Sequence, residues 1–100
     1  MIYAIDFDGV IASGEYAETP IRKNIEWIKK LKTQGHTLIL WTTRIGEDLD
    51  EAIDFCKRND IEFDYINENT REILATLDGQ EPRKIYADFY VDDNAIILQK

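Results

Sequence analysis

Two aspartates that follow the first apolar run are the residues best suited to chemistry. Asp6 and Asp8 come directly after residues 2–5 and precede Gly9. The run is short and apolar, which favours a central parallel strand covered on both faces. Residues two apart in an extended chain point to opposite faces, but Gly9 permits a sharp turn that would bring Asp8 back over the same opening. A turn with solvated acids remains the alternative for this motif by itself.

Polar residues also end two later apolar runs. Thr42 and Thr43 follow residues 38–41, and Asp92 with Asp93 follows a run that ends at Val91. A threonine hydroxyl can donate a hydrogen bond to a phosphate, and carboxylate oxygens can hold a hard cation. Thr42 and Thr43 can equally be ordinary β-branched strand residues.

The elements between these runs alternate in type. Isoleucine and leucine recur at helical spacing over residues 21–31, with Thr19 as the expected N-cap, Pro20 as the first helical residue and Gly35 as the stop. Further helices are predicted at 47–58 and 70–77. Strands are predicted at 37–41, at 61–66 and within 85–91, and residues 95–98 are predicted as a short strand or a terminal helical turn.

Alternating strands and helices predict right-handed crossovers and an α/β fold. We expect one compact domain, residues 1–100, with a parallel sheet and helices on both faces. Ligands of such sheets lie outside the carboxyl ends of the strands. Asp6, Thr42 and Asp92 are therefore expected at one edge, although they are far apart in the sequence.

Three stretches together resemble signatures of the haloacid dehalogenase superfamily, and they occur in the family's order. They are DFDGV at 6–10, LILWTTR at 38–44 and YVDD at 90–93. The commonest members of that superfamily are Mg²⁺-dependent phosphatases with a three-layer Rossmann-like fold. The short spacings between these stretches leave no room for the cap domain that many members carry.

The resemblance implies specific roles for the matched residues. Asp6 would be the nucleophile that forms an aspartyl-phosphate, and Asp8 would protonate the leaving group and then activate water. Asp6, the backbone carbonyl of Asp8, and Asp92 would hold Mg²⁺, with Asp93 at or close behind the ion. Thr42 would donate its hydroxyl to a phosphate oxygen. Asp8 also favours phosphoryl transfer over dehalogenation, because a departing halide needs no acid.

The family's remaining signature is a lysine, or sometimes an arginine, that neutralises the nucleophile and the phosphoryl group, and two residues could match it here. Lys84 is our prediction, with Arg83 as the alternative. A continuous strand over 85–92 would place Lys84 about 26 Å from Asp92 at ~3.3 Å per residue. Lys84 therefore reaches the site only if the strand is short, about 88–91, and residues 85–87 descend from the top of the sheet. The segment PRKIYADFYVDD resembles 5'(3')-deoxyribonucleotidases, which supports that path.

Arg44 and Thr43 are candidate substrate-binding residues. The forked donors of Arg44 suit a phosphate or another acidic group of the substrate. Arg44 can equally pair with a neighbouring acid, Glu47 or Asp48.

Composition limits the partners. The net charge of -8 repels polyanions and argues against general nucleic-acid binding. No apolar run approaches ~20 residues and no secretory signal is evident, so no membrane partner and a cytoplasmic location are expected. The expected substrate is a phosphomonoester, such as a nucleotide. The site should be open unless residues 70–83 or a second subunit of a homo-oligomer cover it.

Two other functional classes remain. One is a phospho-accepting or phosphate-binding regulatory module, since receiver domains also place acids, a threonine and a lysine on a parallel sheet. Receiver domains put adjacent acids after the first strand, however, whereas this chain has its adjacent acids late, at Asp92 and Asp93. The other class is a non-catalytic interaction protein that keeps the fold.

Overall fold

A computed structural model describes residues 1–99. Strands and helices follow one another in this order: β1 (Ile2–Ile5), β2 (Ala12–Ser13), β3 (Thr19–Pro20), α1 (Arg22–Thr33), β4 (Thr37–Leu40), α2 (Gly46–Arg58), β5 (Tyr65–Ile66), α3 (Arg71–Thr76) and β6 (Phe89–Val91). The single small domain and its α/β class agree with the sequence-based expectation.

The central sheet is parallel and has the order β5-β4-β1-β6. Within it Ile5 of β1 lies opposite Leu40 on one side and Val91 on the other. Because the three strands end at the same height, the residues that follow them emerge together at one edge. After β1, the chain adds β4 and then β5 on one side of it. The chain then returns to the other side of β1 and adds β6, so the strand order reverses between β1 and β6.

Helices flank both faces of the sheet. Beneath α1 and α2 lies the larger apolar core, which includes Ile5, Ile25, Leu40 and Phe55. A smaller cluster on the opposite face contains Ala4, Ile39, Ile85 and Ala87. The short helix α3 lies on this second side, where its residues border a cavity shared with 84–87 and Tyr90.

The predicted start of the first helix is wrong. Thr19 and Pro20 do not cap α1; they form β3, which pairs antiparallel with β2. Ile21 is the residue before the helix, and its N–H donates to the Ile11 carbonyl at 2.8 Å. That bond and the hairpin hold Pro20 extended, so the helix begins after them. Residues 12–20 therefore belong to a small hairpin rather than to the start of the helix.

Two other predicted strands differ from the structure. The strand predicted at 61–66 is reduced to β5, because the Asp64 carboxylate, rather than a backbone carbonyl, accepts the Leu38 N–H at 2.9 Å. Residues 95–98 form neither a strand nor a helical turn, and Ile97 is 92 % exposed. Over residues 1–99, the helices lack the combination of length and apolarity that a bilayer span requires.

Asn69 fastens the segment that leads into β6. Its side chain is buried, its Oδ1 accepts the Tyr86 N–H at 2.7 Å, and its Nδ2 donates to Glu81. Residues 85–87 therefore keep a fixed path although they belong to no regular element.

Replacing Asn69 by alanine should destabilise the domain. The Tyr86 N–H would lose its acceptor, which costs about 1–3 kcal/mol in the free energy of unfolding. Urea unfolding followed by circular dichroism measures the change. Gln80→Ala, at an exposed amide in the same connection, should stay within about 0.5 kcal/mol of the wild type. Equal losses in the two variants would show that Asn69 does not fasten this segment.

Candidate active site

Three carboxylates converge where the strand order reverses. Asp6 follows β1 and Asp92 follows β6, and the Asp6 N–H donates to the Val91 carbonyl at 3.0 Å. One carboxylate oxygen from each of Asp6, Asp92 and Asp93 lies within 4.8 Å of the other two. In open parallel sheets this crevice is the usual ligand site. The structure thus brings together acids that are more than eighty residues apart in the chain.

Gly9 leaves the space that the Asp93 carboxylate occupies. The Gly9 backbone has φ +80°, a left-handed conformation that side chains rarely adopt. A Cβ atom built there would overlap the Asp93 carboxylate. Only glycine combines this turn with the close approach of Asp93.

Crowding changes the protonation of Asp6. The pKa of Asp6 is raised from 3.8 to about 6. Burial is the largest cause, a 2.8 Å hydrogen bond from the Phe7 N–H to Oδ1 lowers the pKa, and the charges of Asp92, Asp8 and Asp93 raise it. Without a counter-charge, this carboxylate gains a proton far more readily than an ordinary aspartate.

The donor set suits a hard divalent cation. Mg²⁺ and Ca²⁺ prefer oxygen ligands at about 2.0–2.6 Å, so oxygens on one ion lie up to roughly 4–5 Å apart. The separations among Asp6, Asp92 and Asp93 fall within that range. A dication would also relieve the repulsion that raises the Asp6 pKa. The residues therefore fit the predicted cation.

Arg44 holds Asp8, the fourth acid that lines the cleft. Arg44 donates from Nη2 to Asp8 Oδ1 at 2.8 Å and from Nε to Oδ2 at 3.0 Å. This two-point ion pair lowers the Asp8 pKa. Of the pairings considered for Arg44 from the sequence, Asp48 is contacted only through its backbone carbonyl, at 3.1 Å.

Thr42 and Thr43 both line the cleft. The Thr42 N–H donates to Asn67 Oδ1 at 2.8 Å, and the Thr42 hydroxyl oxygen accepts the Arg44 N–H at 3.1 Å. An oxygen that accepts this bond keeps its hydrogen for another acceptor. Thr42 can therefore donate to a group in the cleft.

Lys84 is not brought to the cleft. The last strand, β6, is as short as a role for Lys84 required, since it begins at Phe89. The Lys84 amine nevertheless lies 5.3 Å from the centre of the Tyr90 ring, and Lys84 borders a cavity on the α3 side of the sheet. The Tyr90 hydroxyl donates to the Ile85 carbonyl at 2.6 Å, which fixes the segment after Lys84 on that side.

The cleft is open and has a volume of about 470 Å³. Among the described residues it is lined by the side chains and backbone of Asp6, Asp8, Gly9, Trp41, Thr42, Thr43, Asp92, Asp93 and Asn94. Residues 70–83 do not belong to this lining, so the segment considered as a cover lies elsewhere.

The sequence analysis missed three residues around the site. Asn67 orients Thr42 and follows β5, so the strand-end rule that found Asp6 could also have found it. Asn94 lines the cleft, and its N–H donates to Asp92 Oδ1 at 2.9 Å. Phe7 supports Arg44 from below. Nothing in the local sequence marks Phe7, because that contact depends on the tertiary fold.

Comparison with known proteins identifies one relative. A solved structure described as the conserved protein coded by locus from Bacteroides thetaiotaomicron is 38% identical, with a TM-score of 0.81 over 96% of this chain and 78% of that one. This chain belongs to the same family as that protein. No protein-family model matches the sequence, and no curated protein matches it. The description of this family member names no ligand or reaction, so the function rests on the site itself.

Asp6→Asn should stabilise the cation-free protein at neutral pH. A raised folded-state pKa means that the folded state favours the protonated carboxyl, so its contribution is present below pH 3.8 and is lost as pH rises through about 6. Because Asp6 is partly exposed, solvent screening reduces the expected gain to about 1 kcal/mol at pH 7. Chemical unfolding in EDTA at pH 3.5 and pH 7 measures it.

The control for that comparison is Glu62→Gln, which removes an exposed carboxylate that does not line the cleft. The gain of Asp6→Asn should disappear at pH 3.5, and the control should show little change at either pH. A gain of equal size at both pH values would contradict the charge of the Asp6 carboxylate as its cause.

Mg²⁺ should raise the melting temperature of the wild type. Binding to the folded state adds about 2.7 kcal/mol of stability at one hundred times the dissociation constant. Asp92→Asn removes one of the three clustered carboxylates and should abolish most of the increase, whereas Glu62→Gln should retain it. Differential scanning calorimetry with Mg²⁺ and with EDTA checks this. An undiminished increase in Asp92→Asn would place the cation elsewhere.

Proposed function

We propose that this chain is a Mg²⁺-dependent phosphohydrolase that cleaves phosphomonoesters through an aspartyl-phosphate on Asp6. The observation that carries the proposal is the convergence of Asp6, Asp92 and Asp93 beside Asp8 and Thr42 at the carboxyl edge of a parallel sheet. The sequence resemblance to the haloacid dehalogenase superfamily supports the same reaction, because its matched residues are these same side chains.

Asp6 acts as the nucleophile. A carboxylate oxygen of Asp6 attacks phosphorus, and the bond from phosphorus to the leaving oxygen breaks. The hydrogen bond from the Phe7 N–H to Oδ1 fixes the orientation of the carboxylate.

Asp6, Asp92 and Asp93 would hold the cation, which supplies positive charge next to the transferring phosphoryl group. Thr42 donates its hydroxyl to a non-bridging oxygen of that group, and Thr43 borders the same space. Fixed donors of this kind stabilise charge that grows in the transition state. This arrangement assigns the charge compensation that was predicted for Lys84 to groups at the strand ends.

Asp8 transfers the protons. It gives a proton to the leaving oxygen in the first step and takes one from the water that attacks the phosphoryl group in the second. That attack breaks the bond to Asp6 and releases phosphate. The ion pair with Arg44 occupies both Asp8 oxygens, so the pair must loosen before Asp8 carries a proton.

A phospho-accepting module without turnover is the second candidate. The same ion pair favours it, because an Asp8 that stays bound to Arg44 cannot activate water. In that case the phosphoryl group would remain on Asp6.

An aryl phosphate assay with Mg²⁺ and with EDTA tests the proposal. We expect Mg²⁺-dependent turnover that is absent in Asp6→Asn. Asp8→Asn should lose roughly 10²–10⁴-fold in kcat, and Thr42→Val should lose roughly 10²–10³-fold. Glu62→Gln is the matched surface control and should retain full activity.

The outcomes separate the candidates. Intact-protein mass spectrometry after exposure to a small phosphodonor such as acetyl phosphate detects a phosphoryl group on Asp6. A stable adduct without turnover favours the regulatory module. No turnover and no adduct would reject both candidates and leave an interaction protein.

A further inference from the structure

We propose that Arg44 is a positioning residue that keeps the Asp8 carboxylate out of the cation site. The four acids of the cleft are thereby divided, with Asp6, Asp92 and Asp93 left to the ion and Asp8 held apart. The first part of this inference concerns cation binding alone. Its consequence for proton transfer rests on the proposed function.

The Arg44 side chain is fixed on several sides. Its Nη1 donates to the Asp48 carbonyl at 3.1 Å, and its guanidinium carbon lies 4.8 Å from the centre of the buried Phe7 ring. Its backbone N–H is bound to the Thr42 hydroxyl oxygen. The side chain is only 17% exposed, so it is packed rather than mobile in solvent. The fork that faces Asp8 is therefore held in place before any ligand arrives.

Asp8 itself is less restrained. Its side chain is 50% exposed, and it borders the same cleft as the three clustered acids. A dication in the cleft would attract this fourth carboxylate. The two hydrogen bonds to Arg44 at 2.8 and 3.0 Å oppose that movement, because joining the ion would leave the guanidinium without its partner.

The division also controls the charge that a phosphate meets. Three carboxylates around a dication leave a formal charge of about -1, whereas a fourth would leave about -2 and repel an anionic substrate more strongly. The Asp8–Arg44 pair adds no net charge. Arg44 thus restrains the negative charge at the ion without occupying the place where the phosphate would lie.

A direct phosphate-binding role for Arg44 fits the geometry less well. The Nε and Nη2 groups of Arg44 already donate to Asp8, and Nη1 donates to the Asp48 carbonyl. A phosphate would have to displace a carboxylate that is already in place.

A double-mutant cycle on cation binding tests the inference. Isothermal titration of Mn²⁺ and of Mg²⁺ into the full chain is compared for the wild type, Arg44→Gln, Asp8→Asn and the double variant. We expect Arg44→Gln to bind the cation at least roughly fivefold more tightly, the lower end of typical coupling between linked groups. Arg44→Gln removes one positive charge whether residue 8 is aspartate or asparagine, and this loss alone strengthens cation binding. The Asp8→Asn background therefore separates the effect of the charge from the effect of releasing Asp8.

The gain from Arg44→Gln should be much smaller when Asp8 is already asparagine. Equal gains in the two backgrounds would mean that Arg44 acts only through its charge, and this would overturn the inference. Absence of cation binding in all four proteins would also overturn it. Arg44→Lys keeps the charge but lacks the fork, so it should show part of the gain and provides a second variant if Arg44→Gln is poorly folded.

Kinetics add a readout that binding does not supply. If Arg44 keeps Asp8 off the ion, Arg44→Lys lets Asp8 bind the ion and lose its proton-transfer role, so kcat on an aryl phosphate should fall with little change in KM. A rise in KM with unchanged kcat would instead assign Arg44 to the substrate phosphate and reject the positioning role. If the wild type has no phosphatase activity, the proposed function fails, while the titration cycle still decides whether Arg44 excludes Asp8 from the ion.

Discussion

The register between β1 and β6 is the constraint on which the site depends. Ile5 lies opposite Val91, so Asp6 and Asp92 leave the sheet side by side with Asp93 close by. Burial raises the pKa of Asp6, and the repulsion of like charges at this spacing adds to the rise, which brings the pKa to about 6. The apolar core beneath the strands must supply the free energy that holds the carboxylates together. A bound dication would convert this unfavourable arrangement into a favourable one.

Two local contacts fix the positions of two of these carboxylates. Gly9 removes a side chain that would overlap Asp93, and Arg44 holds Asp8 by two hydrogen bonds. One contact is steric and the other is electrostatic. Together they allow four acids to share a single cleft while their environments differ, which is the usual way for similar groups to acquire different roles.

Residues that follow regular strands could be placed from the sequence, whereas residues in irregular segments could not. Asp6 and Asp92 were placed correctly because parallel strands carry their following residues to one edge. Lys84 was not, since its position depends on how Asn69 and Tyr90 hold the irregular segment 85–87. The cap expected at Thr19 failed for a similar reason, because the pairing of β2 with β3 outweighed the local helix signal. Neither the Phe7 contact nor the Arg44 ion pair has a local sequence pattern that would reveal it.

The open cleft bears on which substrates the proposed reaction would accept. Residues 70–83 border the α3 side of the sheet or lie away from the acids, so they do not shield a phosphoryl group on Asp6. Water would then reach that group readily, and the leaving group could extend into solvent. A site of this shape imposes few steric limits on the leaving group, so discrimination would rest on the phosphate and the atoms next to it. A phosphate at the end of a larger molecule fits those conditions better than a small metabolite that must be enclosed.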